Sequence, residues 1–134
     1  MFKVFTFSLL GFTLTACYQG ACPAVFITYN LYIVNSQRQP ILLDEIMVQN
    51  LDNGTVYPAC NEVHPYPCLA LNPTLASPKY VIMHDGFKGQ LSSRGSNIRV
   101  SGTKGEQYMQ EDYIFRKTLC GVSHDKGSLT IQLD

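Results

Sequence analysis

The sequence predicts an all-β domain, built as a two-sheet sandwich of about seven short strands. The chain has 134 residues, of which 46% are hydrophobic and 15% are charged, which suffices for one globular core. Apolar residues alternate with polar ones along several short segments, as in strands with one buried face. No segment of ten or more residues keeps an apolar face at helical spacing without a breaker.

The first predicted strand covers residues 25–33, where every second residue is apolar or aromatic. Its opposite face is mixed, and we expect the strand in the centre of a sheet. The second strand covers residues 41–51. Asp52-Asn53-Gly54 then predicts a hairpin turn, because Asn and Gly accept a positive φ, and residues 55–59 are the predicted return strand.

Four further strands are predicted at residues 79–84, 97–101, 107–117 and 128–133. The last has the clearest pattern, since Leu129, Ile131 and Leu133 share one face, and we expect it to be half-buried. Short strands with long connections favour a two-sheet sandwich over a closed barrel.

An N-terminal segment with the pattern of a signal peptide precedes these strands. Lys3 provides a positive start, and residues 4–16 carry no charge, a run of about 13 residues where a membrane-spanning helix needs about 20. The run ends in Leu14-Thr15-Ala16-Cys17, which resembles the lipobox of bacterial lipoproteins. The resemblance implies cleavage before Cys17 and lipidation of that cysteine; a plain secretory signal with an incidental cysteine is the alternative.

This interpretation divides the chain into a signal peptide (1–16), a lipidated tether (17–23) and a sandwich domain (24–134). The lipid would anchor the protein to a membrane without spanning it. Tyr18 stands where an inner-membrane retention signal would have Asp. We therefore expect a bacterial envelope protein on the outer membrane, facing the periplasm.

Four cysteines remain, an even number that predicts two disulfides in an oxidising compartment. We favour Cys60 with Cys68, because they are close in sequence and the intervening prolines fold the segment back. Cys22 with Cys120 follows by elimination, and we expect it to fasten the start of the first strand near the last strand.

A metal site is the competing hypothesis for these cysteines, since His64 lies between Cys60 and Cys68. The tightly spaced cysteine pairs of zinc sites are missing from the sequence, so we expect no metal ligand. No other cofactor is expected, because the sequence has no Gly-rich phosphate loop between a strand and a helix.

We also expect no catalytic residue, because the signatures of serine hydrolases and zinc proteases are missing from the sequence. Asp44-Glu45 and Glu111-Asp112 are adjacent pairs, whose side chains point to opposite faces of a strand. His84-Asp85 and His124-Asp125 each precede a glycine and are interpreted as hydrogen-bonded turn residues. An unrecognised hydrolase would need His64, His84 or His124 to meet a serine or a carboxylate across strands.

Two segments are candidates for binding a partner. The first is the loop closed by Cys60 and Cys68, where prolines would hold Tyr66 and His64 in a fixed position; the alternative is a crossover between sheets. The second is residues 79–104, with five bases against one acid. Lys88, Arg94 and Arg99 would face anionic wall or lipid material, unless they form an ordinary solvated surface.

One resemblance extends over most of residues 25–133. Ile33-Val34-Asn35-Ser36-Gln37-Arg38-Gln39-Pro40-Ile41, followed by Ile46-Met47-Val48, resembles the opening of carboxypeptidase regulatory-like domains. The Gly-aromatic step and the later strands of these domains are resembled by Gly86-Phe87, Ile98-Arg99-Val100 and Leu129-Thr130-Ile131-Gln132-Leu133. Residues 60–78 depart from the family, because a long Pro-rich loop replaces a compact turn. The resemblance implies a transthyretin-type (prealbumin-like) sandwich without catalytic residues of its own.

We therefore expect a non-catalytic, lipid-anchored accessory or interaction module whose partner is an envelope protein or a wall component. The formal net charge is zero, which gives no electrostatic case for nucleic acid. The alternative is an inhibitor or ligand-binding lipoprotein of the periplasm. Ser101-Gly102 followed by Tyr108 resembles the Ser-Gly-x-x-Tyr segment of membrane-bound lysozyme inhibitors, although Gly105 stands where that spacing requires the aromatic residue.

Overall fold

The computed structural model describes residues 21–60, 67–74, 76 and 78–134. The predicted signal peptide and Cys17, the predicted lipidation site, lie outside these residues. The strands are β1 (Thr28–Val34), β2 (Glu45–Asn50), β3 (Tyr80–His84), β4 (Ser96–Lys104), β5 (Gln107–Lys117), β6 (Val122–Lys126) and β7 (Thr130–Gln132). A 3-10 helix, Asp85–Gln90, follows β3 directly.

The strands form two sheets, with the orders β3-β1-β7 and β2-β4-β5-β6. β1 is antiparallel to β3 and parallel to β7, and all neighbours in the four-stranded sheet are antiparallel. The predicted all-β, two-sheet sandwich is confirmed. β1 also occupies the predicted central position in its sheet.

The inner faces of the two sheets share one hydrophobic core. Leu31 and Ile33 of β1 and Ile98 and Val100 of β4 are at most 1% exposed. Burying each such side chain stabilises the fold by about 1.5–3 kcal/mol. The alternation recognised in the sequence therefore marks the faces that meet in the core.

β1 begins three residues later than predicted. Its ladder with β3 ends at Thr28 and His84, because the chain after β3 turns into the 3-10 helix. The backbone N–H of Ile27 donates to Asp85 Oδ2 at 2.9 Å in place of a ladder partner. Val25 and Phe26 lie before the strand, 65% and 53% exposed.

The prediction of a return strand at residues 55–59 is wrong. The turn itself forms, with Gly54 at a φ of 76°, but Val56 and Ala59 make only isolated bridges, to Gln49 and Leu69. Pairing with β2 ends at Tyr57, whose N–H donates to Val48 O, because Ala59 turns away and pairs with Leu69. β2 is also shorter than predicted, since it begins at Glu45 and not at residue 41.

β6 was not predicted from the sequence, so the total of seven strands agrees only because β6 replaces the wrong return strand. Val122 is the one aliphatic residue of β6, so the strand shows no alternation of apolar and polar residues in the sequence. β6 pairs with the end of β5, with Lys117 opposite Val122 and Phe115 opposite His124.

Both predicted disulfides are present, Cys60–Cys68 and Cys22–Cys120. Cys120 lies in the turn between β5 and β6, not near the last strand as expected. The start of β1 reaches this turn because Asp85 accepts hydrogen bonds from the N–H groups of Ile27 and Val122.

Two ends of the sandwich can now be distinguished. The bridge end consists of residues 22–27, 51–54, 85–97 and 117–122, around the Cys22–Cys120 disulfide. The groove end consists of the turns at residues 35–40 and 104–107 together with Asp44 and Asp134. β1 and β5 run between the two ends in opposite directions along the chain.

Candidate functional site

A groove of about 720 Å³ lies on the outer face of the three-stranded sheet, near the groove end. Leu31 and Ile33 point into the core, so the alternate residues Tyr32 and Val34 face outward. The lining residues are Tyr32, Val34, Asn35, Ser36, Arg38, Thr130 and Gln132. This surface, termed the β1–β7 groove, combines an aromatic ring and a guanidinium with hydroxyl and amide groups.

The turn after β1 places Arg38 at the groove. Asn35 Oδ1 accepts hydrogen bonds from the N–H groups of Gln37 and Gln39, each at 2.9 Å. Arg38 has a φ of 61°, a left-handed conformation that residues other than glycine rarely adopt. Such strained positions cluster at functional sites, which marks Arg38 as a candidate contact residue.

Asp134 ties this turn to the end of β7. Its Oδ2 accepts from Gln132 Nε2 at 2.8 Å, and its Oδ1 accepts from the backbone N–H of Ser36 at 2.6 Å. These two bonds hold the pKa of the Asp134 carboxyl below its ordinary value, and the bond from Gln132 has the larger effect. The carboxylate is therefore ionised at neutral pH and fixes one wall of the groove.

The backbone of β7 presents an outer edge beside the groove. Tyr32 N donates to Leu129 O, and Leu133 N donates to Val34 O. The residues between them, Thr130 and Gln132, therefore direct their N–H and C=O groups away from β1. The Ser128 hydroxyl bonds to both backbone groups of Thr130, so Gln132 is the position at which an extended segment would add to the sheet.

A second depression, of about 240 Å³, lies on the outer face of the four-stranded sheet. Ser101 and Gly102 of β4 line it together with Tyr108 of β5, which pairs with Thr103. Tyr108 is 61% exposed. The fold thus brings together the Ser-Gly and Tyr positions singled out in the sequence, although their spacing along the chain departs from the inhibitor pattern.

The loop between Cys60 and Cys68 is closed by its disulfide. Its base is fixed further, because Cys60 N donates to Leu69 O and Leu69 N donates to Pro58 O. The candidate residues within the loop, His64 and Tyr66, lie outside the described residues. Their role stays a prediction, as does that of Cys17.

The three basic candidates do not share one surface. Arg99, on the outer face of the four-stranded sheet, binds Asp112 through two hydrogen bonds of 2.7 and 2.8 Å. This pairing holds the pKa of the Asp112 carboxyl below its ordinary value. Lys88 and Arg94 lie at the bridge end, where Lys88 Nζ donates to the carbonyl of Leu119 and Arg94 is exposed.

The two histidines in the described residues bond to backbone groups. Buried His84 accepts from Gly86 N through Nδ1 at 3.0 Å, and its Nε2 lies 2.6 Å from the Cys68 carbonyl oxygen. This agrees with its interpretation as a hydrogen-bonded turn residue. His124 lies within β6, 2.9 Å from the Gly127 carbonyl oxygen, with its ring packed against Phe115.

The structure adds residues that the sequence analysis did not predict as a site, namely Tyr32, Asn35 and Arg38. The segment Asn35–Pro40 had been recognised only as a turn that resembles a family pattern. The usable signal was the outward Tyr32 on the mixed face of the first strand, directly before that polar turn.

Within the described part of the chain, no three His, Cys, Asp or Glu side chains are grouped as a metal site. The same residues include no helix long and apolar enough to cross a membrane.

In comparisons with known proteins, no family model, no curated protein and no solved structure matches the chain.

Proposed function

We propose that the protein is a non-catalytic, lipid-anchored envelope module that binds a protein partner at the β1–β7 groove. One observation carries the proposal: the groove sets outward Tyr32 and strained Arg38 beside the outer edge of β7. A partner segment in extended conformation would add to β7 at Gln132 through main-chain hydrogen bonds. One of its side chains would then enter the groove, as in other complexes formed by strand addition.

The lining of the groove indicates the chemistry of that side chain. The Arg38 guanidinium favours a carboxylate or an amide oxygen, which it can bind through two parallel hydrogen bonds. Tyr32 is 42% exposed on a strand, so its ring is an anchor that loses little conformational entropy on binding. The bonds from Asn35 to the turn backbone hold Arg38 in position before the partner arrives.

The proposed location is the periplasmic face of the outer membrane. Two disulfides support an oxidising compartment, and the lipobox-like segment ending at Cys17 supports a lipid anchor there. Cys17→Ser is expected to release the protein from membranes, which fractionation and immunoblotting would measure. Unchanged membrane association of this variant would contradict the anchor.

The binding proposal is tested by crosslinking in intact cells, followed by purification and mass spectrometry of what is captured. We expect one dominant partner with the wild-type chain and its loss with Tyr32→Ala or Arg38→Ala. Tyr108→Ala is the matched control, because it removes an exposed aromatic ring from the other sheet. Equal capture by Tyr32→Ala and wild type would contradict a partner site at the groove.

The second candidate is an inhibitor or ligand-binding lipoprotein, favoured by the depression that Ser101, Gly102 and Tyr108 line together. Tyr32→Ala and Tyr108→Ala separate the two candidates. If the second candidate is right, we expect the purified chain to inhibit lysozyme. We expect Tyr108→Ala to abolish the inhibition and Tyr32→Ala to leave it unchanged. No inhibition at a large excess of the chain would remove this candidate.

A further inference from the structure

We infer that the bridge end is the face that rests on the membrane. Leu119 would lie at the boundary between headgroups and acyl chains, and Lys88, Arg94 and Lys117 would contact the phosphates of anionic phospholipids. The inference deepens the proposed anchor and rests on a lipid at Cys17. The surface that we infer to cover the bridge end is a membrane of anionic phospholipids.

The length of the tether limits which end reaches the membrane. Cys17 and Cys22 are five positions apart, a span of at most about 17 Å when fully extended. Cys22 is bonded to Cys120, with the two Cα atoms 5.1 Å apart. The β5–β6 turn is therefore held close to the lipid, while β5, with 11 residues, extends about 36 Å away from it.

Exposed apolar side chains accumulate around this disulfide. Leu119, next to Cys120, is 81% exposed, and Val25 and Phe26, which follow Cys22, are 65% and 53% exposed. Large apolar residues exposed together mark an interaction surface. A membrane would cover them at the place to which the tether draws it.

The charges of the bridge end fit an anionic surface. Three bases lie there, Lys88, Arg94 and Lys117, and none has a carboxylate of the described residues within ion-pair distance. Lys88 and Lys117 line a shallow depression of about 420 Å³ with Leu119 and the hydroxyl residues Ser93 and Thr118. Ammonium and hydroxyl groups beside an apolar side chain suit a phospholipid headgroup.

The carboxylates at this end are directed toward the protein. Asp85 accepts from the N–H groups of Ile27 and Val122, and Asp52 accepts from the backbone and side-chain nitrogens of Asn97. Both carboxylates are thus hydrogen-bonded to the protein, and the three bases of this end outnumber them.

The chain contains no tryptophan, so a single introduced indole reports its own surroundings. Leu119→Trp places an indole at an exposed position of the bridge end. The control, Tyr108→Trp, places one at an exposed position of the four-stranded sheet near the groove end. Each lipidated full-length protein is placed in vesicles of phosphatidylethanolamine and phosphatidylglycerol with brominated acyl chains. We expect the emission at position 119 to shift to the blue and to fall about twofold or more, since bromine quenches at the acyl boundary, while emission at position 108 is unchanged.

A charge variant tests the headgroup contact. Lys88→Gln, Arg94→Gln and Lys117→Gln together should abolish most of the quenching at position 119, as should replacing phosphatidylglycerol with phosphatidylcholine. Lys79→Gln, Lys104→Gln and Lys126→Gln remove the same charge away from the bridge end and should leave the quenching unchanged.

Equal emission from positions 119 and 108, or quenching at position 108 alone, would overturn the inferred orientation. Mass spectrometry of the peptide containing Cys17 tests the anchor separately. If that peptide carries no lipid, the anchor fails, and the same two proteins are added to the outside of the vesicles. Quenching at position 119 would then still support a membrane-binding bridge end, and its absence would overturn it.

Discussion

The two ends of the sandwich are held together by different means. At the bridge end, a disulfide joins Cys22 to Cys120, and Asp85 binds the backbone of two segments. At the groove end, side-chain oxygens accept hydrogen bonds from backbone N–H groups: Asn35 from its own turn, Asp134 from Ser36 and Asp44 from Gly105. One end is closed covalently, and the other by ionised and amide side chains.

This difference changes which side chains are available for contact. Because the disulfide closes the bridge end, its exposed apolar residues and the bases Arg94 and Lys117 can face a surface, and Lys88 also donates to the carbonyl of Leu119. At the groove end the polar side chains themselves set the shape of the β1–β7 groove. A substitution at the groove end should therefore alter binding, whereas one at the bridge end should chiefly alter stability or orientation.

The largest expected effect comes from removing the long disulfide. Cys22→Ser with Cys120→Ser should lower the free energy of unfolding by about 4–5 kcal/mol in the chain-entropy model, because the bridge closes a sequence separation of 98. Urea unfolding followed by tyrosine fluorescence would measure the loss.

The short disulfide is the control for this measurement. Cys60→Ser with Cys68→Ser opens a separation of 8 and should cost about 2.5 kcal/mol. A smaller loss from the long bridge than from the short one would mean that the bridge end is not held mainly by its disulfide.

A glycine substitution at each end gives an intermediate effect. A Cβ at Gly121 would lie 2.5 Å from Asp85 Oδ1, so Gly121→Ala should displace the carboxylate that Ile27 N and Val122 N share. Losing two hydrogen bonds to a carboxylate costs about 1–3 kcal/mol. Thermal and urea unfolding of the variant would show the loss.

Gly105→Ala is the matched substitution at the groove end. Its φ is 57° and a Cβ there meets nothing within 4 Å, so only backbone strain of about 1 kcal/mol is expected. If Gly105→Ala proved as destabilising as Gly121→Ala, contact between Gly121 and Asp85 would not be what stabilises the bridge end.

The smallest expected effect is the pH dependence of the turns at the groove end. The pKa of Asp44 is lowered by the N–H of Gly105 and then by Lys104, and that of Asp134 by Gln132 and then by Ser36. Because the folded-state pKa values are depressed, these bonds stabilise the fold above the unfolded pKa and are lost as the pH falls through the folded values. Both carboxyls are exposed, so the change in global stability should be slight.

Nuclear magnetic resonance can detect this small effect directly. The amide signals of Ser36 and Gly105 should titrate with midpoints below the ordinary value of 3.8. Midpoints at or above that value would show that these carboxylates do not hold the groove-end turns.

β3 and β5 were predicted to within one residue at each end, and β4 and β7 to within three. In β4, β5 and β7 the alternating pattern reports burial directly, as with Ile98 and Val100. The same pattern misled at residues 25–27, which alternate but are exposed. β6 was missed because it is polar and is positioned by pairing with β5, which no local pattern encodes.

The candidate sites were less predictable for a related reason. Spacing along the chain identified both disulfides, but the β1–β7 groove depends on the parallel pairing of β1 with a strand from the other end of the domain. Arg38 reaches it only through the left-handed turn that Asn35 supports. The opposite error occurred at Arg99, where the sequence shows the base but not its partner Asp112 across the ladder.

The two disulfides are nested, since Cys22 pairs with Cys120 across the Cys60–Cys68 bridge. In a chain that enters an oxidising compartment with its N-terminus first, Cys60 is the earliest partner available to Cys22. Oxidation in order of arrival would form that bridge, which a thiolate must then break by exchange before the native pairs can form. If the cysteines oxidise in that order, we expect maturation of this domain to need an isomerase as well as an oxidase, unlike that of a protein whose cysteines pair consecutively.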